Sequence, residues 1–444
     1  MSRGPLGGPR GGGKVALGCR PVTPDSLARS DALRGGDRRH AARQASVVHD
    51  DNDPDADPIY LDHHATTPVD PRVLEVMLPY FTRVFGNAAS HTHAFGWRAE
   101  AAVDEAREVL ATLLDVAPSD VVFTSGATEA NNLALTGVMT ALREPGHLVT
   151  VVTEHKAVLD TAAALERDGH AVTVLPVDGE GRVSPEAVLA ALRPDTRLVS
   201  IMHGNNEIGT VQPIAALAAL CQERGVLLHT DAAQTVGKLR LTAASLGADL
   251  ISFSGHKLYG PKGVGVLVVR PEIRHRIRAI QHGGGHEWGL RSGTLPVPLI
   301  VGIAEAVRLA VSDLSDEHER LSRLRDRLWA GIADLPEIYL NGPPPGPERL
   351  PHNLNVSVGY VEPDAMIMAM PELAVSTGSA CTSDSQEPSY VLSAIGRRGM
   401  LAKAALRFGL GRGTTDAHID TAIASVRAAV ERLRAMSPLW ADRR

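Results

Sequence analysis

A chain of 444 residues with 44 % apolar residues, 4 % aromatics and a formal charge of −6 has the profile of an ordinary globular protein with room for two domains. That charge leaves no basic field for nucleic acid as the main ligand, and no apolar run approaches the roughly 18 residues of a membrane span. Cys19, Cys221 and Cys381 lie far apart, so neither a CxxC metal site nor a disulfide framework can be drawn, and a reducing compartment is the simplest inference.

Residues 1–57 run through GGPRGGG and scattered arginines into the acidic DDNDPDADP. Gly and Pro with few large apolar residues cannot offset the entropy of ordering, so this stretch is expected to be disordered. Its basic first part suggests either an organelle-targeting segment or a start codon placed too far upstream. GPRGGGKV (8–15) imitates a phosphate-binding loop but lacks the closing Ser/Thr and any preceding strand.

From Pro58 short apolar runs alternate with helical ones. VVFT (121–124) leads into a helix through EANNLALTGVMTALR. HLVTVV (147–152) precedes AVLDTAAALERDG, and HAVTVLPV (170–177) precedes SPEAVLAALR. LVSIM (198–202), VLLHT (226–230) and DLISFS (249–254) complete the series. Such alternation predicts an α/β fold with a mainly parallel sheet covered on both faces. From about residue 315 a long charged helix, the strand NLNVSV (353–358) and a closing helix from Thr415 predict a smaller α+β domain. The expected division is 1–57, 58–314 and 315–444.

Ligands of open parallel sheets bind beyond the carboxyl ends of the strands. The residues after the strands here are small or polar: SGATE, TEH, HGNNE, DAAQ and GHK. At SGATE (125–129), Gly126 and a helix start offer an anion site, unless Ser125 or Thr128 merely caps the helix. Asp231 closes an apolar strand and needs a cationic or hydrogen-bonding partner, which a protonated cofactor ring nitrogen or a structural salt bridge would supply.

Only six basic residues are lysines, against 39 arginines. Lys257, held in SGHKLYGPKG, is the one placed where a deprotonated amine could form a Schiff base, and Lys262 reads as a turn residue. His155 is either an ordinary strand-end residue or a proton carrier stacked on a ring. Six further histidines (63, 64, 91, 93, 282, 286) have no convincing metal spacing. Cys221 reads as a core residue. Arg407 offers a bidentate fork to a substrate carboxylate, or a structural ion pair. HGGGHEWGLRSGT (282–294) has too many glycines for regular structure and reads as a loop over a site or at a subunit contact.

Longer motifs narrow the reading. YLDHHATTPVDP, FGNAASHTHAFG, TSGATEANNLA, TEHKAVLDT, NNEIGTVQPI, SGHKLYGPKGVG, HGGGHE, RSGTLP and STGSACTSDSQEPSYVL together resemble the NifS/IscS-type cysteine desulfurases, from about Ile59 to Trp440. The resemblance implies a pyridoxal 5'-phosphate enzyme of fold type I with a seven-stranded sheet, working as a homodimer. It implies that Lys257 joins the cofactor and shuttles the substrate α-proton, that Asp231 pairs with the ring nitrogen, and that His155 stacks on the ring. Asn206 and Gln234 would contact the substrate or the cofactor's phenolic oxygen. Ala127, Thr128, Ser254 and His256 would hold the phosphate, with Thr294 reaching in from the neighbouring subunit, and Arg407 would take the cysteine carboxylate.

Cys381 would attack the substrate sulfur, leaving alanine and an enzyme persulfide. Its polar surroundings, GSACTSDS, suit a thiolate that must travel, where a core position would forbid it. It would meet metal only transiently, in a cluster shared with an IscU-type scaffold. The implied activity is a cytoplasmic cysteine desulfurase supplying iron–sulfur clusters and tRNA thiolation, or a mitochondrial one if residues 1–57 are a targeting segment. A selenocysteine lyase, another class V enzyme, and a non-catalytic sulfur carrier are the alternatives. Trp288 stands where such proteins carry Arg, Gly409 and Gly413 replace bulkier or polar residues, and the chain ends at SPLWADRR where they continue into a scaffold-binding tail.

Overall fold

The computed structural model describes residues 57–377 and 388–442, so the expected roles of residues 1–56 and of Cys381 fall outside the described residues. The first strand, β1 (Ile59–Tyr60), pairs in parallel with a segment far along the chain, Leu373–Ala374. Seven strands then build the central sheet: β2 (Val121–Thr124), β3 (His147–Val151), β4 (Ala171–Leu175), β5 (Thr196–Ser200), β6 (Leu227–Asp231), β7 (Leu250–Ser254) and β8 (Gly265–Val269). Their spatial order is β2-β8-β7-β6-β5-β3-β4. β8 runs antiparallel to both neighbours, and every other pair is parallel.

Successive side chains of a strand point to opposite faces, and the two faces of this sheet are both apolar. Val121, Phe123, Val149, Val199, Phe253 and Val266 join one core cluster, with the helices Ala94–Leu114, Ile214–Glu223 and Val297–Ser312. Their neighbours Val122, Leu148, Leu198, Leu250 and Leu267 join the other, under the helices Ala127–Thr140 and Lys156–Arg167. Double-sided burial is why these strands read as continuous apolar runs.

Beyond the helix Leu314–Ile332 lie three antiparallel strands, β9 (Ile338–Leu340), β10 (Asn353–Val358) and β12 (Ala405–Gly409), with β11 (Leu373–Ala374) the partner of β1. β10 is the middle strand, and the helix Asp416–Met436 closes a separate core that also takes in Leu61. Residues from Pro58 on cluster as one compact unit containing both sheets.

Candidate active site

β2, β6 and β7 all end at the same edge of the sheet, and the residues just past them line a cavity of about 570 Å³. The register sets this: Asp231 pairs with Ser252, so β7 overshoots by two residues and presents Ser254, while Gly265 pairs with both Ser254 and Thr124. A Cβ on Gly265 would lie 2.6 Å from the backbone of Gly126, so the chain can pass there only as glycine. Gly126 itself takes φ 154° and starts the helix Ala127–Thr140 with no side-chain cap. The expectation that Ser125 or Thr128 caps that helix is therefore not met, and its first N–H groups are left to the cavity side.

Of the residues expected from the sequence, Ala127, Thr128, His155, Asn206, Asp231, Gln234, Ser254, His256, Lys257 and Arg407 all line this one cavity. Thr294 does not, and it is exposed. Cys381 lies outside the described residues.

Lys257 follows β7 in a single turn, Gly255–Lys257, and its Nζ donates to the backbone carbonyls of His64 and, at 2.7 Å, of Ala65. His256 is not the cationic neighbour that would help Lys257 shed its proton. Burial, then the charges of Lys257 and Lys262, push its pKa down to about 4. Its ring is 3.1 Å from Thr66 Oγ1.

Asp231 is buried, accepting from Asn131 Nδ2 at 2.6 Å and from the Ala233 N–H at 2.9 Å. It has no salt-bridge partner among the described residues. Its charge is thus held by neutral donors and left to face the cavity. His155 caps the helix Lys156–Arg167, its Nδ1 accepting from the Ala157 N–H at 3.1 Å. Gln234 is engaged with His64, which reaches its Oε1 at 3.0 Å and whose carbonyl accepts from its Nε2 at 3.1 Å. Arg407 enters from the other sheet on β12, pairing with Asp62 at 2.8 Å and reaching the Asn206 carbonyl at 3.3 Å. It is therefore both things the sequence allowed, an ion-pair member and a cavity residue.

Several contributors escape sequence reasoning. Asn131 is fully buried in an apolar helix, and EANNLA gives only the faint signal of an amide among alanines. Burial pushes the Glu154 carboxyl well above its ordinary range, and pushes Glu207 up to about 7 against the opposing pull of a Ser389 hydrogen bond and the Arg407 and His155 charges. Two departures also find their reason. A Cβ on Gly409 would come 2.7 Å from the His64 backbone nitrogen, whereas Gly413 faces open space. Trp288 covers Arg107, whose guanidinium lies 4.6 Å from that ring and 4.6 Å from Phe123, and which pairs with Glu287 at 2.7 Å.

The wall of the cavity fits a phosphorylated, ring-nitrogen cofactor. Ser254 Oγ and Asn131 Oδ1 are buried without a hydrogen-bond partner, and an uncapped helix start and the Asp231 carboxylate border the same space. A phosphate would satisfy the first end and a ring N–H the other. Fold and site together define a pyridoxal-phosphate enzyme of fold type I. The chain belongs to the aminotransferase class-V family, whose signature matches residues 59–421.

Among curated relatives, the cysteine desulfurase IscS of Methylococcus capsulatus is 54 % identical over 384 residues, 86 % of this chain and 95 % of its own length. The cysteine desulfurase IscS of Pectobacterium atrosepticum is 55 % identical over 386 residues with the same coverage. Among solved structures, a NifS-like protein superposes with a TM-score of 0.79 at 36 % identity, covering 85 % of this chain and all of its own. SspA in complex with cysteine gives 0.71 at 38 % identity, covering 79 % of this chain and 98 % of its own.

Proposed function

We propose that this chain is a cysteine desulfurase that converts L-cysteine to L-alanine and takes the sulfur onto Cys381 as a persulfide. The observation that carries this is the convergence of Lys257, Asp231 and Arg407 on one cavity, in a chain that matches cysteine desulfurases along 95 % of their length.

Pyridoxal phosphate, when bound, supplies an electron sink for bond breaking next to the substrate's α-carbon. Ala127, Thr128, Ser254 and His256 would hold its phosphate, and Asp231 would keep a proton on its ring nitrogen. His155 would help hold the cofactor's ring, and Asn206 and Gln234 would contact the substrate or the cofactor. Lys257 carries the α-proton at Nζ, steered by the carbonyls that now hold it. Arg407 orients the substrate through its carboxylate. The Cys381 thiolate attacks the substrate sulfur, the carbon–sulfur bond breaks, and its electron pair stays with the carbon that becomes the methyl of alanine.

In this reading residues 58–314 are the cofactor-binding domain and 315–444 the smaller one. The enzyme is a cytoplasmic homodimer with Thr294 completing the neighbour's site. It passes sulfur to an IscU-type scaffold for iron–sulfur clusters, and to acceptors for tRNA thiolation. No helix among the described residues is long and apolar enough to cross a membrane.

Cys381→Ala is expected to lower sulfide and alanine release from cysteine by on the order of a hundredfold or more, with cofactor absorbance retained. Sulfide release at the wild-type rate would sink the persulfide step and leave a lyase that does not use Cys381, such as a selenocysteine lyase. A colourless protein that no added pyridoxal phosphate reconstitutes would favour a non-catalytic carrier.

A further inference from the structure

We propose that Asp62 is a positioning residue that loosens the enzyme's hold on the substrate α-carboxylate, and with it the hold on product alanine. This rests on the reading that Arg407 receives that carboxylate.

Asp62 does not line the cavity and stands behind Arg407. One oxygen, Oδ1, accepts from Arg407 Nη2 at 2.8 Å and from Ser376 Oγ at 3.0 Å. The backbone locks this arrangement on two sides. Asp62 bridges to Gly409, with the His63 N–H donating to the Gly409 carbonyl at 3.0 Å, and the Arg407 N–H donates to the Ser376 carbonyl at 2.8 Å. The Arg407 side chain is 2 % exposed, so its charge demands a counter-ion, and Asp62 is its salt-bridge partner among the described residues.

A guanidinium has five N–H donors, and here Nη2 serves Asp62, Nη1 reaches the Asn206 carbonyl and Nε has no partner. Arg407 thus keeps donors for a second carboxylate while the first already cancels its charge. A substrate carboxylate meets a fixed, oriented fork at nearly zero net charge. Cysteine and alanine carry the same α-carboxylate, so tighter binding through it would hold both equally. Such uniform binding lowers KM without speeding turnover, and it slows product loss.

Asp62→Asn keeps the shape and an acceptor oxygen while removing the charge. In the cofactor-loaded enzyme, titrated by its visible absorbance, L-alanine is expected to bind about fivefold more tightly, and KM for cysteine to fall alongside without a rise in kcat. Cysteamine, which lacks the carboxylate, is expected to bind as it does to wild type. Asp62→Ala, which also frees the fork to swing, is expected to raise KM. Unchanged or weakened alanine binding in Asp62→Asn, with only a lower melting temperature, would reduce Asp62 to a structural role and overturn the proposal.

Arg407→Lys, run in parallel, separates the two levels. If it leaves alanine binding and cysteine KM untouched, Arg407 is not the carboxylate site and the underlying reading falls. If it weakens both while Asp62→Asn tightens neither, only the present proposal falls. Should Asp62→Asn not fold, Ser376→Ala carries the test: it leaves the Asp62 charge undivided on Arg407 and is expected to weaken alanine binding about twofold, with unchanged binding overturning the proposal.

Discussion

Glu207 is a carboxyl that the fold removes from water and then only half compensates. Ser389 Oγ donates to its Oε2 at 2.6 Å, yet burial outweighs that bond and lifts its pKa from 4.5 to about 7. A folded-state value above the unfolded one means the native state binds the proton more tightly. The contribution is fully present below about pH 4.5 and is lost as pH rises through about 7. Glu207→Gln, always neutral, is expected to change stability little at pH 5 and to raise it at pH 8 by up to about 3 kcal/mol. Urea midpoints at the two pH values measure this, and an equal gain at both would show that titration is not the cause. Residues of this kind were not legible in the sequence. Lys257 and Asp231 declare themselves because each sits where a strand stops and chemistry begins. Asp62, Asn131 and Glu207 mean something only through partners far along the chain, such as Arg407 for Asp62 and Asp231 for Asn131. No local pattern encodes such a pairing.

VVFT announces β2 as an apolar run and NLNVSV announces β10 by its alternation, and both coincide with their strands to the residue, although β10 buries its polar Asn353, Asn355 and Ser357 as well. β8 is just as buried but starts inside the glycine-rich SGHKLYGPKGVG, where a loop is the natural reading, and its antiparallel direction breaks the strand–helix alternation that reveals the others. The same glycines then matter for packing. Gly265 brings β8 against Gly126 at the anion end of the cavity. Gly265→Ala is expected to push the start of the helix Ala127–Thr140 out of place, costing about 1–3 kcal/mol of stability and a larger share of cofactor affinity. Equilibrium dialysis of pyridoxal phosphate, compared with the melting shift, checks this. Destabilisation with undiminished cofactor affinity would mean the close approach does not shape the site. The HGGGHEWGL turn is likewise more than an irregular loop. Glu287 and Trp288 take positive φ of 51° and 54°, a strained conformation for such side chains, and the buried Arg107–Glu287 pair pins it.

Two cores and one cavity organise the molecule. The central sheet brings Asp231, Ser254 and Lys257, the small sheet brings Arg407, and β1 crosses early in the chain to pair with β11, which puts His64 and Ala65 at the cavity wall. The alternation of strands and helices foretold the first sheet, and NLNVSV foretold one strand of the second, β10, but nothing in composition tells where two sheets meet. Thr294 poses the remaining question at this scale, because a residue read as phosphate-binding stands exposed and outside its own chain's cavity. In the homodimer proposed above it serves the neighbouring subunit. Thr294→Ala is then expected to raise the cofactor dissociation constant about tenfold, the cost of one hydrogen bond to a charged group. Lys257→Ala is expected to abolish covalent attachment. In a mixed dimer of the two variants, the subunit carrying Thr294→Ala keeps its own Lys257 and receives the intact threonine of its companion, so one native site forms. Refolding equal amounts of the variants together should restore tight cofactor binding with the absorbance of the lysine adduct at half the sites of each mixed dimer, about a quarter of all sites when pairing is random. If Thr294 instead served its own chain, that subunit would stay impaired in every pairing, and mixing would recover nothing.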